Sequence, residues 1–162
     1  MNRLWAPWRM KYITSAGKED GCVFCETPKA ENDRERLILR RGEHTFTIMN
    51  LYPYTNGHLM VVPYRHVPDI TELTPDEHLE IMSEASLGTR VLRNAQKCEG
   101  LNLGINMGQG AGAGIADHVH MHIVPRWNGD TNFMTVMDDT RVISEALDET
   151  WEKLVAAYAE LG

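Results

Sequence analysis

The chain is poor in cysteine, in basic charge and in long apolar runs, and each shortage excludes a class of protein. Three cysteines in 162 residues cannot make a disulfide framework, since one thiol is always left over. Sixteen Lys and Arg against 23 Asp and Glu leave a net charge of −7, the opposite of the basic face a general nucleic-acid binder needs. A nucleotide as substrate is not excluded, because backbone N–H groups and imidazoles hold phosphate locally. No run approaches the roughly 20 apolar residues that cross a bilayer. Residues 1–10 carry no apolar core of signal-peptide length. The expectation is a soluble, cytoplasmic single domain whose partners include neither nucleic acid nor membrane.

What the chain does have is Asp117-His118-Val119-His120-Met121-His122-Ile123-Val124-Pro125. Three of its seven histidines alternate here with apolar residues, and a period of two marks a half-buried strand. His118, His120 and His122 then share one face, while Val119, Met121 and Ile123 pack on the other. At ~3.3 Å per residue the outer two imidazoles leave the backbone about 13 Å apart. That is too far for all three to hold one metal ion, so they should have separate roles.

The rest reads as punctuation around this strand. Residues 1–21 form an arm in which Trp5, Trp8 and Tyr12 pack on the domain or on a second subunit. Strands are expected at 36–41, 45–50, 58–63 and 101–107. Thr74-Pro75-Asp76-Glu77 is a helix start with a cap, a first-turn proline and a capping-box glutamate. A stripe of Leu79, Met82, Ala85, Thr89, Leu92 and Ala95 carries that helix to about Cys98, a lone helix-end thiol. A second helix is expected over 140–161, with Val142, Ala146, Trp151, Leu154, Val155 and Tyr158 as contacts. This order predicts an α+β domain: a mostly antiparallel sheet of about five strands, one long helix and a C-terminal helix.

Two local patterns carry chemistry. Gly108-Gln109-Gly110-Ala111-Gly112-Ala113-Gly114, just before the histidines, lets backbone approach a ligand and aim several N–H groups at one point. A neutral imidazole beside such a loop is a nucleophile for phosphorus, and a neighbouring imidazole can donate to a phosphoryl oxygen. Cys22 and Cys25 form a C-x-x-C that reads as half a zinc site, a reduced thiol pair or a redox pair. His66, in a loop after a strand, can be a structural hydrogen-bonder, and His78 a solvated helix residue.

The run His118-Val119-His120-Met121-His122-Ile123-Val124 resembles the histidine-triad (HIT) signature. The resemblance takes in Asn50, Gly57-His58-Leu59-Met60-Val61-Val62-Pro63 with His66 after it, and Asn106, covering residues 22–127. Leu4-Trp5-Ala6-Pro7-Trp8-Arg9 and Arg126-Trp127-Asn128-Gly129-Asp130-Thr131-Asn132-Phe133 look like the branch related to diadenosine tetraphosphate phosphorylases. It implies a HIT-like core at 22–127 with a C-terminal extension at 128–162. It further implies that His120 attacks the α-phosphate of a (di)nucleotide, forming a nucleotidyl-histidine that passes to water or phosphate. By the same resemblance His122 contacts the α-phosphate or bridging oxygen and His58 supports the histidine network. Asn50 is expected on ribose hydroxyls, with Ile48 and Leu51 bordering the base. Asn106, Gln109, Gly112 and Gly114 are expected on phosphate. A structural zinc held by Cys22, Cys25, His44 and His118 is implied too, as is a homodimer; no organic cofactor is. One departure is Gly112-Ala113-Gly114-Ile115, where many members carry a Ser, Thr or Gln.

Two rival readings remain. One is a metal-dependent phosphohydrolase with His118 and His120 as an H-x-H metal pair joined by His58. The other is a nucleotide-binding module without turnover.

Overall fold

The computed structural model describes residues 21–130 and 143–162. The aromatic arm, Val142 and the end of the 126–133 motif lie outside them. A short helix, α1 (Val23–Glu26), is followed by strands β1 (Ile38–Arg41), β2 (Thr45–Met49) and β3 (Leu59–Pro63). The long helix α2 (Pro75–Gln96), strands β4 (Gly100–Ile105) and β5 (Met121–Arg126), and helix α3 (Leu147–Leu161) complete the chain. The sheet has five strands in the order β1-β2-β3-β5-β4, and every neighbouring pair is antiparallel. No helix among the described residues is long and apolar enough to cross a membrane.

β1 starts two residues later than its apolar pattern suggests. The Asn32 side chain accepts from the N–H groups of Arg34 and Glu35, which winds the chain into a turn. That turn ends at Leu37, whose φ is +58°, and the ladder begins at Ile38.

Both halves of the expected capping box form at the start of α2. The Glu77 N–H donates to Thr74 Oγ1 at 3.2 Å, and the Thr74 N–H donates to the Glu77 carboxylate at 2.7 Å. Arg65 grips the same carboxylate through two hydrogen bonds. That Arg65 pairing, ahead of the Thr74 bonds, holds the Glu77 pKa at about 2.

The phase of α2 differs from the expected stripe. Leu79 and Met82 are 69% and 57% exposed, whereas Ile81, Ala85, Gly88, Val91 and Leu92 are buried. Two acidic residues account for the rotation. Glu80 accepts from the backbone N–H groups of His44 and Thr45 and from the Thr45 hydroxyl, and Glu84 pairs with Arg40. Gly42 belongs to the same arrangement, since a Cβ there would fall inside the Glu80 carboxylate. At Gly88 a Cβ would lie 3.0 Å from Ile123 Cδ1 and 3.1 Å from the Tyr158 hydroxyl, so helix and sheet approach as closely as glycine permits.

α2 ends at Gln96, because Lys97 turns left-handed with φ +50°. α3 begins only at Leu147, after an extended Ala146, and buries Leu154, Ala157 and Tyr158 against β1 and α2. With Ile123 and Leu59 facing α2, their neighbours His58 and His122 lie on the sheet's opposite face.

Candidate functional site

The histidine run meets the sheet ladder only at Met121, three residues past His118, where the alternation begins. β3 stops at Pro63, so the residues before Met121 pair with the loop after β3 instead. The Val119 N–H donates to Val67 O at 2.7 Å. A bend stands at His118, yet all three histidines are buried: His118 at 0%, His120 at 4% and His122 at 9% exposure.

Their rings run in a row. His66 meets His118 edge-on at 5.1 Å, His120 meets His122 edge-on at 4.7 Å, and His122 meets His58 at 5.1 Å. Phe24 bridges the gap, 5.5 Å from His118 and 4.8 Å from His120, and Tyr54 closes the far end, 4.6 Å from His58.

The hydrogen bonds determine which nitrogen of each ring carries the proton. His120 Nδ1 is 2.8 Å from the His118 carbonyl, which can only accept. Nδ1 is therefore protonated, and the Nε2 lone pair has no hydrogen-bond partner among the described residues. Nor is that nitrogen sealed, since only Gln96 Nε2 and Tyr158 OH among the described residues are buried side-chain atoms without a partner.

At the other end of the row, the Tyr54 backbone N–H donates to His58 Nδ1 at 3.1 Å, and Asn50 Nδ2 lies 3.3 Å from the same nitrogen. His58 must then be protonated on Nε2, which donates to His122 Nδ1 at 2.9 Å. His122 in turn keeps its proton on Nε2. The chain of tautomers thus presents one ring nitrogen as a base and its neighbour as a donor.

Burial lowers the pKa of all three triad histidines, because a desolvated imidazolium is unfavourable. For His122 the result is about 4. The rings are neutral at pH 7, the state in which an imidazole can act as a nucleophile.

His118 faces away from this pair. Its Nε2–H donates to Pro63 O at 2.9 Å, which leaves an Nδ1 lone pair pointing at both thiols. Cys22 Sγ is 3.3 Å and Cys25 Sγ 3.6 Å from that nitrogen, and Cys25 Sγ is 3.4 Å from His66 Nδ1. Tetrahedral zinc with ordinary Zn–S and Zn–N bonds places its ligand atoms roughly 3.3–3.8 Å apart, so these donors fit it. The four converging residues are Cys22, Cys25, His66 and His118, with donor atoms within 4.8 Å of one another. His44, the expected fourth ligand, is not among them. Its carbonyl pairs with the Tyr64 N–H at the mouth of the hairpin, and it lines a hollow with Tyr64, Arg65 and Thr74. His66, three residues past the end of β3, crosses to His118 in its place.

The H-x-H metal pair does not form, since His118 turns to the thiols and His120 is absent from that group. Asn50 sits beside His58, Ile48 is buried in β2 and Leu51 is 45% exposed. Asn106 follows β4, and the loop after it is exposed, with a short 3₁₀ turn over Gln109–Ala111. A Cβ built at Gly108, Gly110, Gly112 or Gly114 meets nothing within 4 Å, so no packing in the described fold requires these glycines.

Phe24 and Tyr54 were not singled out from the sequence. Phe24 lies between the two cysteines, so whatever fixes the thiols fixes its ring. Tyr54 stands four residues before His58 in a turn, a weaker signal.

The family model described as "HIT domain" matches residues 31–129. An AP-4-A phosphorylase of Mycobacterium tuberculosis is 40% identical over 167 residues, which span 98% of this chain and 85% of that protein. A bis(5'-nucleosyl)-tetraphosphatase (asymmetrical) of Schizosaccharomyces pombe is 32% identical over 57% of this chain and half of its own length. The crystal structure of a Zn-bound histidine triad family protein from Mycobacterium smegmatis superposes with a TM-score of 0.70 at 28% identity, covering 87% of this chain and 95% of that one.

Proposed function

The chain belongs to the HIT domain family and is a nucleotide hydrolase or transferase; on that premise we propose that it acts on dinucleoside polyphosphates by covalent histidine catalysis. The observation that carries the reading is the His120 ring, whose Nδ1–H is tied to its own strand while Nε2 is left bare. That nitrogen attacks the α-phosphorus, and the bond to the bridging oxygen breaks. The remaining nucleoside polyphosphate leaves as an anion with the electron pair. His122 Nε2–H donates a hydrogen bond to a phosphoryl oxygen as charge builds there. The His118 carbonyl supports the imidazolium that forms. Phosphate or water then attacks phosphorus, the P–N bond breaks, and its electron pair returns to Nε2.

The open Gly108–Gly114 loop supplies N–H groups to the phosphates, with Asn106 and Gln109 beside it. Asn50 takes the ribose, bordered by Ile48 and Leu51. Cys22, Cys25, His66 and His118 would hold a structural zinc, which would tie these four side chains together. The setting is cytoplasmic, where thiols stay reduced. A homodimer is part of the proposal, supported by the open edge of β4 with Leu103 and Met107 partly exposed.

Incubation with diadenosine tetraphosphate, with and without inorganic phosphate, tests the activity. ADP formed only with phosphate identifies a phosphorylase; AMP formed without it identifies a hydrolase. Rapid acid quench should trap a nucleotidyl adduct that His120→Ala abolishes. Turnover with no adduct and no effect of that substitution would refute the covalent route.

A further inference from the structure

Phe24 is 4% exposed, although it sits on a helix of only four residues. The thiols on either side of it explain how so short an element is held. Cys22 and Cys25 flank the ring within one turn, and the N–H groups of Cys25 and Glu26 both donate to Cys22 O, at 3.0 and 3.1 Å. Both sulfur atoms reach the same nitrogen of His118. The ring between them stands edge-on to His118 (77°) and tilted over His120 (57°). Any displacement of the two sulfurs therefore moves a ring that rests on the proposed nucleophile.

Three restraints act on the His120 imidazole. The Nδ1–H bond to His118 O selects the tautomer but leaves the ring free to swing about that contact. The edge-on His122 ring limits the swing from one side at 4.7 Å. Phe24 lies against the ring at 4.8 Å. His122 is fastened in its own right through His58 and Asn50. Phe24 is fastened by the thiol cluster.

We propose that Phe24 is a positioning residue that couples the Cys22–Cys25–His66–His118 cluster to His120, so that a zinc ion closing the cluster aligns the Nε2 lone pair. The coupling is steric, with no proton or electron passing through the phenyl ring. It rests on the reading of His120 as nucleophile, but its test does not.

The full chain, stripped by chelator and then titrated with zinc, is followed through the ¹H–¹⁵N signals of its imidazoles. In the native chain the His120 ring signals should shift and sharpen as one equivalent binds. In Phe24→Ala, zinc should bind with the same stoichiometry while the His120 signals stay broad. Steady-state rates supply a second readout. Phe24→Ala should lower kcat by about 10²-fold, the cost of a reacting atom misplaced by ~1 Å, and leave KM within a few-fold. Phe24→Leu, which keeps the apolar bulk, should recover most of that loss, and Phe24→Val, too short to rest on the His120 ring, takes the place of Phe24→Ala in both readouts should the alanine variant fail to fold. A zinc response of His120 that persists without Phe24 would overturn the proposal, because the strand backbone would then be the link. So would an unresponsive His120 in the native chain, or a defect confined to KM. The nucleophile reading fails by a different route, the absence of an acid-quench adduct.

Discussion

Acid should destabilise this protein through His122 at a pH where its ion pairs are still intact. Burial, with the neighbouring His120 as a lesser cause, holds the His122 pKa at about 4, against 6.5 for an open imidazole. Between those values the unfolded chain binds a proton that the folded chain refuses, so stability falls as pH drops. At ~1.36 kcal/mol per pH unit the interval from 6.5 to about 4 caps the loss at about 3.4 kcal/mol. About 2 kcal/mol of it is already gone near pH 5. In a domain of this size that lowers Tm by about 4–8 °C. Glu77 and Glu145, both with pKa values held at about 2, act in the opposite window. Their contribution is full above 4.5 and is lost as pH falls through 2, so the two effects separate. The assay is Tm by circular dichroism, from neutral pH down to about 5, for the native chain and His122→Asn at equal metal content. An asparagine oxygen can still accept from His58 but cannot titrate. The native Tm should fall by about 4–8 °C more than that of the variant. Parallel curves would show that folded His122 takes its proton normally, and the chain of tautomers through His58 would be wrong.

Three further outcomes follow from the same geometry. Burial lowers the His120 pKa below 6.5, so kcat/KM should stay level down to 6.5 and decline only beneath it. A rate profile whose acid limb lies above 6.5 contradicts this. Cys22→Ser or His66→Ala should take bound zinc, measured by atomic absorption, from one ion per chain towards none, whereas His44→Ala should keep it. Equal loss in His44→Ala would return that residue to the ligand set. Gly88→Val should cost about 1–3 kcal/mol in urea unfolding, since its side chain has to displace Ile123 and Tyr158. An unchanged midpoint would mean that helix and sheet can separate there at little cost.

Much of the architecture was readable because it depends on neighbours in the chain. Thr74, Pro75 and Glu77 interact within one helical turn, and all three act as expected at the start of α2. The alternation was readable where the ladder forms, at Met121, His122 and Ile123, because successive strand residues point to opposite faces, whereas His118 stands in a bend before the strand. The buried face of α2 was misread for a different reason. Counting Leu79 and Met82 as apolar contacts ignores that Glu80 and Glu84 are drawn inward by backbone N–H groups and an arginine on another element. Hydrophobic periodicity carries no record of such distant partners.

The site divides along the same line. The residue types and their period of two, local properties of residues 117–125, were enough to mark this stretch as the candidate site and to suggest phosphate chemistry for it. Only the folded chain decided which nitrogen of each imidazole is free, because Pro63 O reaches His118 across 55 residues and His58 Nε2 reaches His122 across 64, while His118 O and the Tyr54 N–H act locally. It likewise brought His66 and not His44 to the thiols, although both flank the open end of the same hairpin, because the chain turns after β3. Proximity set by backbone direction, and not residue identity, made that choice.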